Sequence, residues 1–138
     1  MINVIELLLE QQRAGHGRVI SEAGFRLAES PLTLRAPDVA FIVQDRIPIE
    51  VPTGFWTIAP DLVIEVMSPA NSASDIQQKV LDYLDAGVRV IWVIDPKSQS
   101  VTVYRSLTDV RLLTARDDLD ALPILTDCRC IVADLFAY

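Results

Sequence analysis

The chain has 138 residues, 51% of them hydrophobic, with a formal charge of −7. That length and apolar content can bury one core, so a single α/β domain over residues 1–138 is expected. The acidity, with a pI near 4.5, excludes a broad basic face for phosphate backbones; any such face has to be local, drawn from Lys79, Arg89, Lys97 and Arg105.

Residues 2–14 have helical spacing, with Ile2, Ile5, Leu8, Leu9 and Gln12 near one stripe, and Gly15 and Gly17 end the pattern. Arg18 to Glu29 reads as one strand, Ser30-Pro31 breaks it, and Leu32-Thr33-Leu34 is a short continuation. Asp38 to Val43 is a second strand. The stretch from Gln44 to Thr57, holding Pro48, Pro52 and Gly54, reads as a loop with a helical turn near Gly54-Phe55-Trp56. Asp61 to Met67 is the most buried strand. Asn71 or Ser72 caps the next helix, with Asp75 in its first turn, Ile76, Val80, Tyr83 and Leu84 as its apolar stripe, and Gly87 as its stop. Strands follow at Val88–Ile94, Ser100–Arg105 and Val110–Leu113, and Cys128–Phe136 reads as a short strand running into a helical turn.

Cys128 and Cys130 are spaced for one side of a strand, where disulfide geometry is poor, and with His16 alone they fall short of a zinc site. They read as small apolar residues, and His16, between two glycines, as a loop residue. Met1 to Leu9 lacks the basic region of a secretory leader, and no apolar run reaches a membrane span, so a cytoplasmic protein is expected. Trp56 and Trp92 read as core or loop anchors rather than platforms for bases.

The chemistry gathers around two acids. Glu65 lies inside the run Leu62-Val63-Ile64-Glu65-Val66, where burying a carboxylate is costly unless it is paired or holds a metal. Asp38 opens a second apolar strand. Two carboxylates at the mouths of neighbouring strands, with a lysine near by, suit a magnesium-dependent phosphodiesterase, since Mg²⁺ takes one or two carboxylates plus water and phosphate oxygens. The backbone carbonyl of Val66 is a further candidate ligand. Lys79 lies at the margin of the helix stripe, from where its ammonium can reach the strand ends, and Tyr83 follows one turn later. Bland alternatives stand beside these. Lys79 has Asp75 at i−4 and Asp82 at i+3 for surface pairs, Asp38 follows Pro37 as a turn residue would, and Asp61 after Pro60 reads more readily as a turn than as a site residue.

Together the segments Pro37-Asp38-Val39, Pro60-Asp61-Leu62-Val63-Ile64-Glu65-Val66-Met67-Ser68-Pro69, Lys79 with Tyr83, Ala86-Gly87-Val88, Trp92-Val93-Ile94-Asp95-Pro96 and the ending Leu135-Phe136 resemble the Uma-two (Uma2) family of bacterial restriction-endonuclease-like proteins. The resemblance implies the PD-(D/E)XK nuclease superfamily: a central mixed β-sheet flanked by helices, DNA as substrate, and Mg²⁺ (or Mn²⁺) at an acidic pair. It matches Asp38 to the first acid and Glu65 to the second. The superfamily's usual lysine position falls on Met67, and Lys79 matches the lysine that this family carries on the following helix. Family members generally have a helix and hairpin before the helix that begins this chain. Their lack suggests a shortened chain, an uncovered strand after Gly17 and poor cover for Ile5 and Leu8, and hence a homodimer joined through the first helix or strand. The alternative to a nuclease is a catalytically inert binding or assembly module on the same fold; a small-molecule phosphoesterase lacks a phosphate-cradling glycine loop.

Overall fold

The computed structural model describes residues 2–137. Helix α1 spans Ile2–Arg13, and the strands are β1 Gly17–Ser21, β2 Phe25–Glu29, β3 Leu32–Arg35, β4 Val39–Val43 and β5 Leu62–Val66. Helix α2, Ala73–Asp85, leads to β6 Val90–Asp95, β7 Ser100–Tyr104, β8 Val110–Leu113, β9 Asp118–Asp120 and β10 Arg129–Ile131. Six strands form one mixed sheet in the order β1-β4-β5-β6-β7-β8, while β2-β3 and β9-β10 are separate two-stranded ribbons. Among the described residues the only parallel pair of strands is β5–β6, joined through α2, because parallel neighbours need a crossover.

The sheet is covered on both faces, which explains the unbroken apolar runs of β5 and β6. On one face Leu62, Ile64, Val90, Trp92, Val101 and Val103 pack with Val4 and Leu8 of α1 and with the C-terminal residues Leu125, Val132 and Leu135. On the other, Val63, Ile91 and Val93 meet Ile76, Val80 and Tyr83 of α2. Beside α2, the β2-β3 ribbon lays Phe25 and Leu27 near Ile42 and Trp56. Helix α2 starts at Ser72, whose hydroxyl accepts from Asp75 N while the Asp75 carboxylate accepts from Ser72 N, a reciprocal capping box. It stops where Gly87 takes φ +95°.

Several expectations are corrected. Arg18–Glu29 is two strands in different sheets, because Glu22 adopts φ 52° and turns the chain out of the main sheet before Phe25. Leu32–Arg35 is the return strand of that ribbon. The helical turn in the following loop lies at Gln44–Arg46, and Trp56 instead bridges to Phe25. The buried side of α1 is Val4, Leu8 and Gln11, rotated from the expected stripe; Gln12 is exposed, and the Ile2 side chain lies outside the described residues. Gln11 is buried because its amide oxygen meets His16 Nδ1 at 2.9 Å. Leu8 is fully covered within one chain, since the Asn3 amide ties α1 to the C-terminal segment through the carbonyls of Asp134 and Leu135. Strand β9 had no clear alternation to mark it. Cys128 and Cys130 are free thiols packed against the core, and burial pushes them up to about 12 and about 11. Among the described residues no helix is long and apolar enough to cross a membrane.

Candidate functional site

Strands β4 and β5 run antiparallel with Val39 opposite Ile64. Extending that register by one residue sets Asp38 opposite Glu65, and directly opposed residues project from the same face. The face is the α2 side, because Val63 points there and side chains alternate. Glu65 is buried, at 4% exposure, whereas Asp38 is exposed at the mouth. Asp38 Oδ2 accepts the backbone N–H of Val66 at 2.7 Å. That bond shows which edge of β5 the Val66 peptide groups face: in a strand a residue's N–H and C=O point to one side, so the Val66 carbonyl also lies on the Asp38 side.

Helix α2 completes the arrangement from above. Tyr83 donates its hydroxyl to Glu65 Oε1 at 2.6 Å, and Lys79 Nζ lies 3.4 Å from Glu65 Oε2. Residues 79 and 83 are one turn apart and so reach the same carboxylate from one helix face. The two rival partners of Lys79 are taken: Asp75 by the capping box, and Asp82 by Arg35 and Gln78. Burial holds the Glu65 pKa above its ordinary value; the Tyr83 hydrogen bond and the Lys79 charge oppose this, and the negative charge of Asp38 adds to it. Burial, and then the charge of Glu65, likewise raises Tyr83, which stays a hydrogen-bond donor.

The structure does not bring Asp61 into this group. It precedes β5 at the far end from Glu65, buried, with Oδ2 accepting Val43 N at 2.8 Å and Oδ1 facing Arg46 at 3.0 Å and Arg89 at 3.2 Å. It is a structural clamp between strands. Of the basic residues expected to form a local face, Arg89 and Arg105 line one surface pocket but meet Asp61 and Asp120, Lys79 meets Glu65, and Lys97 lies in the turn after β6. Trp56 and Trp92 are buried anchors. Arg35 escaped sequence reading, although it stands three residues before Asp38; it bonds Asp82 on α2.

For a divalent ion the donor chemistry is suitable but sparse. Asp38 keeps one carboxylate oxygen outside its bond to Val66, Glu65 supplies a second carboxylate, and the Val66 carbonyl lies on the same side. Among the described residues no group of three or more acidic, histidine or cysteine side chains gathers to hold a metal. Two carboxylates and a carbonyl fit Mg²⁺, which keeps several waters, and do not make an all-protein calcium cage.

The architecture places the chain in a class. Its fold is that of a solved protein from Anabaena variabilis ATCC 29413, described as "a putative nuclease belonging to DUF820", with a TM-score of 0.83 and 24% identity; the match covers 94% of this chain and 73% of that one. The family model described as "Putative restriction endonuclease" matches residues 1–132, and the chain belongs to that family, Uma2. No curated protein matches the chain significantly.

Proposed function

We propose that this protein is a metal-dependent DNA endonuclease that hydrolyses phosphodiester bonds at the Asp38–Glu65 pair. The observation that carries this reading is the placement of an exposed and a buried carboxylate side by side on one sheet face, with an ammonium held against the buried one. Asp38, Glu65 and the Val66 carbonyl would hold Mg²⁺ or Mn²⁺. When bound, such an ion neutralises charge on the scissile phosphate and acidifies a water. Lys79, beside the outer oxygen of Glu65, is placed to orient the attacking water and to offset charge developing at phosphorus. Tyr83 fixes the Glu65 rotamer through a short hydrogen bond, so the carboxylate is preorganised before any ligand arrives. Family membership supports the substrate class.

One observation favours a second reading, an inert binding or assembly module. Both Glu65 oxygens already have protein partners, so the buried charge is satisfied without a metal. Nicking of supercoiled plasmid separates the two. The nuclease reading expects Mg²⁺- or Mn²⁺-dependent conversion to open-circle and linear forms, abolished in Asp38→Asn and Glu65→Gln and cut about 10²-fold in Lys79→Ala, a typical loss for one proton-handling group. Equal background from wild type and variants would favour the inert module.

A further inference from the structure

We propose that the Arg35–Asp82 ion pair is a positioning latch that sets the spacing between Asp38 and the Glu65–Lys79–Tyr83 cluster. The proposal rests on the reading of that cluster as a metal site, but it makes a claim about the protein alone as well.

Asp38 sits where the fold gives it little backbone support. It lies one residue outside the β4–β5 ladder, which begins at Val39. The chain reaches it from the β2-β3 ribbon, a separate sheet from the one that holds Glu65. Its carbonyl accepts Glu22 N at a long 3.3 Å. Leu27 packs the ribbon against the α2 cluster, but apolar contact is non-directional and tolerates sliding. Direction comes from Arg35 at the end of β3. Its Nε and Nη2 reach Asp82 Oδ2 at 2.9 and 2.7 Å, and the Gln78 amide holds Asp82 Oδ1 at 3.0 Å. The pair is mostly shielded, at 28% and 17% side-chain exposure, so it is less weakened by solvent than a surface pair.

The connectivity makes this pair a caliper. One end is three residues from Asp38. The other adjoins Tyr83, which bonds Glu65, and lies three residues after Lys79 on the same helix. With the pair formed, the chain through Ala36 and Pro37 is held at a fixed distance from α2, and Asp38 stays within reach of Val66 N. Without it, among the described residues the ribbon and α2 share only apolar contact in the region, through Leu27, and Asp38 can swing from the mouth. Arg35 and Asp82 touch no substrate in this scheme; they act through Asp38.

Two readouts test the latch in wild type, Arg35→Ala, Asp82→Asn and the exchanged double variant Arg35→Asp/Asp82→Arg. The first is amide hydrogen exchange at Val66, which reports the bond to Asp38 without any metal. Arg35→Ala and Asp82→Asn are each expected to lower Val66 protection about tenfold or more, as for a local opening, while Ile91 and Val93 in the sheet centre keep theirs. The double variant should restore it. The second is Mn²⁺ titration by calorimetry, with an expected loss of about tenfold in affinity in each single variant, the low end for a residue supporting a ligand. Unchanged Val66 protection, or equal loss at Val66, Ile91 and Val93, overturns the latch. If wild type binds no Mn²⁺, the metal reading fails, while Val66 exchange still decides the latch.

Discussion

Glu65 concentrates the conflict between stability and function in one side chain. Its folded pKa is raised above 4.5 by burial. Below pH 4.5 both folded and unfolded forms are protonated and the shift costs nothing. As pH rises past 4.5 the unfolded chain ionises first, so the fold loses stability until the folded carboxyl ionises too. Without metal, Glu65→Gln should therefore be at least as stable as wild type at pH 7, because it removes a buried charge while its amide oxygen can still accept the Tyr83 hydroxyl. The advantage should vanish near pH 4 in urea titrations run with a chelator. Tyr83→Phe acts oppositely: it strands a buried carboxylate oxygen and should cost about 1–3 kcal/mol at neutral pH in the same titration. Under the proposed nuclease reading, this costly buried carboxylate, with a tyrosine and a lysine set on it, is held in readiness for a metal ion.

At the scale of elements, α2 is the arm that delivers Lys79 and Tyr83, and its start is set by Ser72. Ser72→Ala removes the cap and should cost about 1 kcal/mol, lowering the melting temperature by about 4 °C in a domain of this size. The associated acid, Asp75, is held below its ordinary range by its bonds to Ser72, so its contribution is present above pH 3.8 and fades as the pH falls further. Glycine matters most at Gly17, where a Cβ would stand 2.2 Å from the Ile42 carbonyl and 2.6 Å from the Phe41 ring. Gly17→Ala should destabilise the β1–β4 pairing by about 1–3 kcal/mol, as overpacking does, visible as a lower urea midpoint. Much at this scale was legible. The run through Val63 and Glu65, the Ser72 cap and the Gly87 stop are local signals, and they carry Glu65, Lys79 and Tyr83 to one place. Arg35 was not legible, because its partner lies 47 residues away and only the ribbon's return brings them together. The split of Arg18–Glu29 was hidden by Glu22, a non-glycine residue with positive φ that leaves no composition signal. The face of α1 was misjudged because a glutamine, satisfied by His16, takes a buried position that polarity alone would deny it.

For the whole molecule, the sheet ends at β1 on one side and β8 on the other. We propose a homodimer formed along the β1 edge, which is partly blunted because the Gln12 side chain takes the Val19 N–H, while the full burial of Leu8 removes α1 as an apolar seam needing cover. Sedimentation equilibrium at micromolar concentration should give about twice the chain mass of 15.3 kDa; a single species at 15.3 kDa would leave β1 as a blunt edge. The charge of −7 carries a second consequence. With that net charge, and with Lys79, Arg89 and Arg105 each paired with a carboxylate, the protein should bind DNA weakly without a divalent ion and with low salt sensitivity, because few phosphates are neutralised by side chains. The account stands or falls on what the Asp38–Glu65 pair holds. A crystal soaked in millimolar Mn²⁺ and measured at the manganese edge tests it directly. The account predicts one anomalous peak within about 2.0–2.6 Å of carboxylate oxygens of both Asp38 and Glu65, lost in Glu65→Gln; no peak there, or one coordinated by neither residue, would contradict it.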